Sequence, residues 1–259
     1  MLASQSRGHG ERLVLVHGFT QTARSWDAIA ETLARHHEVV TVDAPGHGES
    51  GHADVDLHEG ARLLVGVGGE ATYVGYSMGG RMCLHAAVDA PHAVRRLVLI
   101  GASPGLDDDA ERSRRRDDDE RLATHLEAEG IDRFLDDWLA LPLFAGLDEA
   151  SAGRDDRRGN DAASLASSLR ASGTGAQSSL WPALHEIRCP VLLLVGEHDD
   201  KFAAIADGMA ERIPDATVEV VAGSGHSVHL EQPQEFLERL QAWLDRHPPS
   251  ASPTVASAP

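Results

Sequence analysis

The chain contains very little cysteine, with only Cys83 and Cys189 among its 259 residues. Two cysteines do not make the disulfide framework that stabilises small secreted domains. Cys83 lies in a helix-like segment and Cys189 just before a strand-like one, so both are expected to behave as small buried hydrophobic side chains. This usage is typical of a reducing compartment, and we predict a cytoplasmic location.

Long apolar runs are also missing. No segment approaches the roughly 20 consecutive apolar residues that a membrane-spanning helix needs. Residues 1–10 contain no apolar stretch of the kind that a secretory signal requires. We therefore expect neither a membrane span nor export, and a hydrophobic content of 42% fits a globular core.

Positive charge is scarce as well. The chain has 23 lysine and arginine residues against 41 acidic ones, for a net charge of −18, and Lys201 is its only lysine. This balance argues against nucleic acid and anionic membranes as partners. It does not exclude a small anionic metabolite, because salt screens surface charge beyond about 8 Å. A few arginines inside a closed pocket would dominate the field there.

Apolar strand-like runs alternate with helical segments along most of the chain. This alternation predicts the α/β class, with a mostly parallel sheet covered by helices on both faces. Because the N-terminal segment is short, we expect little room for additional antiparallel strands before the first parallel one. The predicted strands are 12–16, 39–42, 71–74, 97–100, 191–195 and 218–221, and the predicted helices are 25–35, 57–67, 78–89, 202–212 and 233–246.

The strand signal vanishes between residues 104 and 186, where the chain becomes helical and charged. We predict that 104–186 is a helical lid inserted into one core domain formed by 1–103 and 187–247. Residues 248–259 are rich in proline, serine and alanine without apolar periodicity, so a disordered tail is predicted there. We expect a monomer or a small homo-oligomer.

The most informative motif is the G-x-S-x-G segment 75–79, centred on Ser77. A strand-like run precedes it and a helix-like run follows it. A serine on such a tight turn projects its hydroxyl above the sheet, and the two glycines let the strand and helix cross closely. The five letters alone are also compatible with an ordinary glycine-rich turn.

A serine hydroxyl becomes reactive when a histidine takes its proton and a carboxylate orients that histidine. Asp199 follows the apolar run 191–195, and His226 follows the strand-like run 218–221. Loops at the carboxyl ends of parallel strands converge on one crevice, so we predict that these two residues join Ser77. Asp200 and His229 are the competing assignments.

A fourth element lies near the N-terminus. The strand-like run 13–16 ends at His17-Gly18-Phe19. The backbone N–H groups of Phe19 and of Met78, which follows the serine, are predicted to form an oxyanion hole. The other reading of His17-Gly18 is a plain turn at the end of a strand.

With these motifs, the chain resembles the α/β-hydrolase superfamily over residues 11–247. Within that superfamily, it resembles the synthases that form 2-succinyl-6-hydroxy-2,4-cyclohexadiene-1-carboxylate in menaquinone biosynthesis. The triad motifs are shared by many hydrolases, whereas the arginine and Trp-x3-Pro-Leu-Phe segments are more specific. The finer resemblance rests on segments 75–81, 111–119, 134–138, 142–144, 180–181 and 196–202, and on Arg158.

Part of the lid has a helical pattern that turns Arg115 inward. Leu122 and Leu126 share a helix stripe with the positions seven residues earlier, Arg115 and Asp119, whereas Arg114 lies roughly opposite. An inward arginine needs a counter-charge, and a bound carboxylate is one candidate. The alternative is that Arg115 only pairs with acids one helical turn away.

The resemblance implies substrate contacts for five residues. It assigns Tyr76, Arg81, Arg115, Trp138 and Arg158 to the binding of a substrate with several carboxylates, which arginine forks bind in bidentate fashion. It also extends to Lys201 and Phe202, which we place beside the pocket. Taken alone, Arg158 is equally compatible with the surface, and Trp138 with the core of the lid.

The resemblance implies a carbon–oxygen lyase that eliminates pyruvate, with Ser77 acting as base through His226 and Asp199. No cofactor is implied, and the histidines lack metal-ligand spacing, so no metal is assigned. The alternative is an ester or C–C bond hydrolase in which Ser77 is a covalent nucleophile. A third class, a binding member of the fold, would not need an intact triad.

Overall fold

The computed structural model describes residues 1–51 and 55–248. Its strands form one sheet of order β1-β3-β2-β4-β5-β6-β7, in which β1 is antiparallel to β3 and the other neighbouring pairs are parallel. The predicted α/β class is confirmed. The strands are β1 (Ser4–Gly8), β2 (Glu11–Val16), β3 (His37–Val42), β4 (Ala71–Tyr76), β5 (Val94–Ile100), β6 (Val191–Gly196) and β7 (Ala216–Val221).

Helices pack on both faces of this sheet. Several begin at an aspartate whose carboxylate accepts a backbone N–H of the first turn: Asp56, Asp108 and Asp161. The helices are α1 (Asp27–Leu33), α2 (Leu57–Gly68), α3 (Met78–Asp89), α4 (Asp109–Leu139), α5 (Arg154–Arg157), α6 (Ala162–Ser172), α7 (Asp200–Ala210), α8 (Val228–Glu231) and α9 (Pro233–Arg246).

Strand β1 differs from our expectation that the N-terminus leaves little room for an antiparallel strand. It pairs with β3 at the sheet edge, and most of its residues are exposed. An exposed edge strand needs no apolar alternation, so the sequence carries no signal for it. Gly8 (φ 77°) and Gly10 (φ 116°) make the following turn, and a Cβ on Gly10 would lie 2.7 Å from the His36 carbonyl oxygen.

The central strands are buried on both faces, and alternate side chains enter different core layers. Val14 and Val16 pack in the layer that also contains residues of α2, α3 and α7, whereas Leu13 and Leu15 pack in the layer with residues of α1 and α9. This two-sided burial explains why the parallel strands appear in the sequence as continuous apolar runs.

The predicted insertion falls between β5 and β6 and contains α4, α5 and α6. Helix α4 is broken at Gly130, whose φ of 77° is not helical. Helices α4 and α6 pack through their own apolar cluster, which includes Ala123, Leu126 and Phe134 from α4 and Leu165 and Leu169 from α6. We keep the name lid for residues 104–186.

Within the part of the chain that the structure describes, no helix combines the length and apolarity needed to cross a membrane. Cys83 and Cys189 are both free thiols. Of the predicted disordered tail, residues 249–259 lie outside the described residues.

Candidate active site

Ser77 lies on the turn between β4 and α3 in a strained conformation, with φ 50° and ψ −109°. Few non-glycine residues adopt a positive φ, and such strain concentrates at functional sites. Gly75 and Gly79 permit the turn, because a Cβ on Gly75 would lie 2.6 Å from the Gly80 backbone and one on Gly79 would strike the Val16 carbonyl. The G-x-S-x-G pattern therefore has the structural context that the sequence predicts.

Ser77, His226 and Asp199 form one hydrogen-bonded chain. His226 Nδ1 lies 2.7 Å from Asp199 Oδ2, and His226 Nε2 lies 3.2 Å from Ser77 Oγ. The carboxylate holds the proton on Nδ1, which leaves Nε2 free to accept the serine proton. Asp199 is also the N-cap of α7, because its Oδ1 accepts the Phe202 N–H at 3.3 Å.

The competing residues, Asp200 and His229, are not part of this hydrogen-bonded chain. Asp200 is exposed in the first turn of α7, and His229 is fully buried with its ring stacked 4.3 Å from that of Trp26. Burial lowers the pKa of His229 to about 3. The geometry therefore favours Asp199 and His226 over both alternatives.

Phe19 and Met78 both line the cavity in front of Ser77. Among the described residues, neither backbone N–H has a hydrogen-bond partner, although the neighbouring amides of Gly18 and Thr20 do. Two unpaired donors beside the serine hydroxyl are what an oxyanion hole requires. The oxyanion hole itself stays a prediction.

The cavity has a volume of about 750 Å³. Buried His226, Arg81 and Arg157 and half-buried Ser77 line its inner part, whereas exposed side chains from the start of α4 form its rim. Residues that line it include Phe19, Tyr76, Met78, Arg81, Ser103, Asp107, Asp108, Glu111, Arg114, Arg115, Asp118, Trp138, Phe144, Arg157, Ser168, Trp181, Lys201 and Phe202.

Arg81 is 9% exposed and lines the cavity from α3. Its Nη1 donates to the Ser172 carbonyl at 2.8 Å and to Gln177 Oε1 at 3.3 Å, both neutral oxygens. Burial, reinforced by the nearby positive charge of Arg115, lowers the pKa of Arg81 to about 10. Asp119 acts in the opposite direction, and an anion in the cavity would further favour the charged form of Arg81.

Arg115 lines the same cavity from α4, and its Nε donates to Asp119 Oδ1 at 2.7 Å. Asp119 is buried, and its other oxygen accepts the Gly175 N–H. Both the inward position and the pairing with an acid one turn away are therefore present. Arg114 also lines the cavity, contrary to our helical-wheel expectation, because the rim is wider than one stripe of α4.

Arg158 lies outside the cavity. It is exposed and pairs with Asp132 at 2.6 Å and Asp155 at 3.0 Å. Its neighbour Arg157 is 2% exposed and lines the cavity instead. Helix α5 is only four residues long, so the sequence carries no periodicity to show which arginine points inward.

Within residues 1–51 and 55–248, the hydrogen-bond partners of the Arg157 guanidinium are all neutral oxygens. It donates to the Ala152 carbonyl at 2.7 Å, to the Phe19 carbonyl at 3.4 Å and to Thr20 Oγ1. Burial lowers its pKa to about 10. The sequence did not single out this residue.

Aromatic side chains form the remaining wall. Trp138 packs edge-on against Phe19 with ring centroids 5.3 Å apart, and its buried indole N–H has no partner among the described residues. The Tyr76 hydroxyl lies 2.7 Å from Ser227 Oγ, and burial raises the pKa of Tyr76. Lys201 and Phe202 lie beside the cavity, as the resemblance implies.

One group of side chains away from the cavity has atoms close enough to hold a metal ion. Ligand atoms of His58, His85 and Asp89 lie within 4.8 Å of one another. The hydrogen-bonding distance of 2.8 Å between His58 Nδ1 and Asp89 Oδ2 accounts for much of this approach. Nothing in the group points to an ion, and the absence of a metal remains a prediction.

The fold and this constellation define the class of protein. The chain belongs to the α/β-hydrolase family, whose sequence model, described as "Alpha/beta hydrolase family", matches residues 13–239. The predicted superfamily resemblance is thereby confirmed.

The finer resemblance is confirmed by individual relatives. The chain is similar to the 2-succinyl-6-hydroxy-2,4-cyclohexadiene-1-carboxylate synthase of Salmonella agona (strain SL483), with 34% identity over 88% of this chain and 91% of that protein. A Bacillus subtilis (strain 168) protein provisionally given the same name is 34% identical over 94% of this chain and 93% of its own. The structure of MenH from S. aureus matches with a TM-score of 0.89 and 32% identity, covering 94% of this chain and 98% of that one.

Buried neutral histidines around the site make stability depend on pH. His17 Nδ1 donates to the Gly18 carbonyl while Nε2 accepts the Ala44 N–H, and His47 is bonded in the same way to the Pro45 carbonyl and the Thr20 N–H. Burial lowers the pKa of His17 to about 4 and that of His47 to about 3. Protonation would remove the acceptor that each backbone N–H uses.

We therefore predict that the free energy of unfolding falls as the pH drops from about 6.5 towards 4. In this window the unfolded chain binds protons at these histidines and the folded chain does not, so the slope reaches about 1.4 kcal/mol per pH unit per histidine. Urea unfolding at pH 7.5 and 5.5 measures it, and His47→Gln should reduce the slope. Equal unfolding free energies at both pH values would contradict the conclusion that His17 and His47 are neutral in the folded chain.

Proposed function

We propose that this chain is a 2-succinyl-6-hydroxy-2,4-cyclohexadiene-1-carboxylate synthase, a carbon–oxygen lyase that eliminates pyruvate from an enolpyruvyl substrate with several carboxylates. The similarity to named synthases over most of both chains supports this activity. The observation that carries it is a pair of buried guanidinium groups, Arg81 and Arg157, which line the cavity of Ser77 and hydrogen-bond only to neutral oxygens among the described residues.

Electrostatics favours an anionic ligand for these groups. A buried charge is costly unless it is paired, and carbonyl oxygens compensate a guanidinium less well than a carboxylate does. Asp119 and Asp156 act on Arg81 and Arg157 only at a distance, without a direct hydrogen bond. A neutral ester would leave both guanidinium groups without a directly bonded counter-charge, whereas a substrate with several carboxylates supplies one for each. Arg115 lines the same cavity and lowers the pKa of Arg81, although its own charge is paired with Asp119. The ligand is therefore a small anionic metabolite.

The proposed reaction starts with a proton transfer. His226, oriented by Asp199, accepts the Ser77 hydroxyl proton as the Ser77 oxygen removes the substrate proton next to the succinyl carbonyl. The N–H groups of Phe19 and Met78 stabilise the enolate oxygen that develops. The ring double bond then forms as the C–O bond to the enolpyruvyl group breaks. The leaving group takes a proton and departs as pyruvate, and no cofactor takes part.

We assign substrate contacts to Tyr76, Arg81, Arg115 and Trp138, and to Arg157 in place of Arg158. Arg81, Arg115 and Arg157 approach the cavity from α3, α4 and α5, so they are suited to carboxylates on different parts of one molecule. The unpaired indole N–H of Trp138 offers a further donor. Tyr76 has its hydroxyl bonded to Ser227 and packs 5.3 Å from the His226 ring, which favours a supporting contact at the reacting end.

The alternative function is hydrolysis of an ester or a C–C bond by the same three residues. The serine–histidine distance of 3.2 Å suits a covalent nucleophile as well as a base. The buried arginines argue for an anionic substrate in that case too. A purely binding role would not require the hydrogen-bonded chain of Ser77, His226 and Asp199.

The function is tested by incubating the purified chain with the enolpyruvyl substrate. Pyruvate is followed by its reduction with lactate dehydrogenase, and the ring diene by ultraviolet absorbance. We expect the two products to appear together in equal amounts, and neither to appear above background with Ser77→Ala. Consumption of the substrate without diene formation would favour the hydrolase alternative.

A further inference from the structure

Thr20, next to the proposed oxyanion donor Phe19, has an unusual backbone. Its φ is 68°, in the left-handed region that a β-branched residue rarely adopts. Such a conformation persists only where the surroundings hold it. We call residues 18–20 the oxyanion loop, because Phe19 N–H lies at its centre.

Three side chains hold Thr20, one at each of its polar positions. His47 Nε2, from the turn after β3, accepts the Thr20 N–H at 3.2 Å. Asn160 Nδ2 donates to the Thr20 carbonyl at 2.7 Å, and Arg157 donates to Thr20 Oγ1. Two of these three groups belong to the lid, since residues 157–160 connect α5 to α6.

The Asn160 side chain makes several hydrogen bonds between the lid and the oxyanion loop. It is 5% exposed, and its Nδ2 also donates to the Arg157 carbonyl at 3.0 Å. Its Oδ1 accepts the Gly48 N–H at 2.8 Å. A single amide therefore joins the lid, the oxyanion loop and the turn after β3, and it uses both donors and its acceptor to do so.

We infer that Asn160 is a positioning residue that couples the seating of the lid to the shape of the oxyanion hole. With residues 157–160 in place, Thr20 keeps its positive φ and the Phe19 N–H remains free of other partners beside Ser77. When this segment withdraws, Thr20 loses its carbonyl and side-chain partners together and relaxes to an ordinary conformation. The Phe19 N–H is then misplaced, so an enolate or oxyanion is stabilised only under a seated lid.

This inference rests on the proposed role of the Phe19 N–H, but not on the identity of the substrate. Asn160 does not line the cavity, and its hydrogen bonds go to the backbone of Thr20, Arg157 and Gly48. Its loss should therefore lower kcat more than it raises KM. A residue that only stabilises the fold would change the unfolding temperature without lowering kcat more than it raises KM.

The test compares Asn160→Asp and Asn160→Ala with a matched lid variant, Arg170→Gln. Aspartate keeps the acceptor for the Gly48 N–H but loses the donors to Thr20 and Arg157. Arg170 lies on α6 and pairs with Glu120 and Glu127 on the lid surface, away from the loop. Hydrogen exchange of residues 18–23, kcat and KM are measured for each, with both the enolpyruvyl substrate and a neutral p-nitrophenyl ester.

We expect loop amides in both Asn160 variants to exchange at least about tenfold faster than in wild type, and kcat to fall by at least about tenfold with KM changed less than about threefold. Arg170→Gln should leave exchange and kcat at wild-type values. Unchanged loop exchange in Asn160→Asp overturns the inference, as does an effect confined to KM.

A second variant separates positioning from simple folding. Glycine adopts a positive φ without strain, so Thr20→Gly in the Asn160→Asp background should recover part of the lost kcat. The inference is overturned if Thr20→Gly recovers no kcat in the Asn160→Asp background. If wild type releases no pyruvate, the proposed function fails while the ester reaction and the exchange data still decide the role of Asn160.

Discussion

Ser77→Ala, Asp199→Asn and His226→Ala are each expected to lower kcat for pyruvate elimination by about 10³- to 10⁶-fold, the range found when members of such triads are removed. Ser77 provides the base oxygen, His226 takes its proton at 3.2 Å, and Asp199 holds the ring at 2.7 Å. Because the three residues act as one unit, combining two substitutions should cost little more than the more damaging one alone. Steady-state kinetics on the single and double variants measures this.

The matched control is Asp200→Asn, which changes the adjacent exposed carboxylate in α7. It should keep wild-type kcat, and all variants should unfold at temperatures close to that of wild type. Asp199→Asn retains a side-chain oxygen to cap the Phe202 N–H, so its loss of activity cannot be attributed to α7. Near-normal turnover in Ser77→Ala would remove the assignment of the triad.

The second large effect concerns the arginines. Arg81→Ala and Arg157→Ala should each weaken kcat/KM for pyruvate elimination by about 2–5 kcal/mol, the range for removing one partner of a buried charge pair. The loss of kcat/KM in Arg115→Ala should lie at the lower end of this range, because the Arg115 side chain is 36% exposed and solvent screens its charge. The same substitutions should leave hydrolysis of a neutral p-nitrophenyl ester unchanged or improved, apart from Arg157→Ala, which also releases the Thr20 side chain.

Arg158→Ala separates the two neighbouring arginines. Its guanidinium is exposed and already paired with Asp132 and Asp155, and exposed pairs contribute only about 0–1 kcal/mol. We therefore expect kcat/KM to change by less than about threefold. A large loss in Arg158→Ala together with a small one in Arg157→Ala would reverse the assignment.

The catalytic constellation could be predicted because its residues follow the carboxyl ends of parallel strands. Continuous apolar runs mark most of those strands, and parallel strands bring their carboxyl ends to one edge. Ser77 and Asp199 follow such runs, whereas His226 follows β7, a mostly half-buried strand that contains Glu219. Their common position after parallel strands predicts that the three residues meet. Phe19 and Met78 followed from the same argument.

Other features left no such mark. Strand β1 is exposed at the sheet edge and is held by backbone bonds to β3, which any sequence can make. The choice between Arg157 and Arg158 depends on the docking of a four-residue helix, a tertiary effect without periodicity. Asn160 looks like an ordinary loop residue until the fold brings it 2.7 Å from the Thr20 carbonyl, 140 positions away in the chain.

If this cavity serves elimination from an anionic substrate, a single comparison on the wild-type chain should show it. Values of kcat/KM are measured side by side for pyruvate release from the enolpyruvyl substrate and for hydrolysis of a neutral p-nitrophenyl ester. We predict that elimination exceeds ester hydrolysis by at least about 10³-fold, because paired carboxylates satisfy the buried arginines in the transition state. Rapid cleavage of the ester without release of pyruvate would show that the chain is a hydrolase and not a lyase.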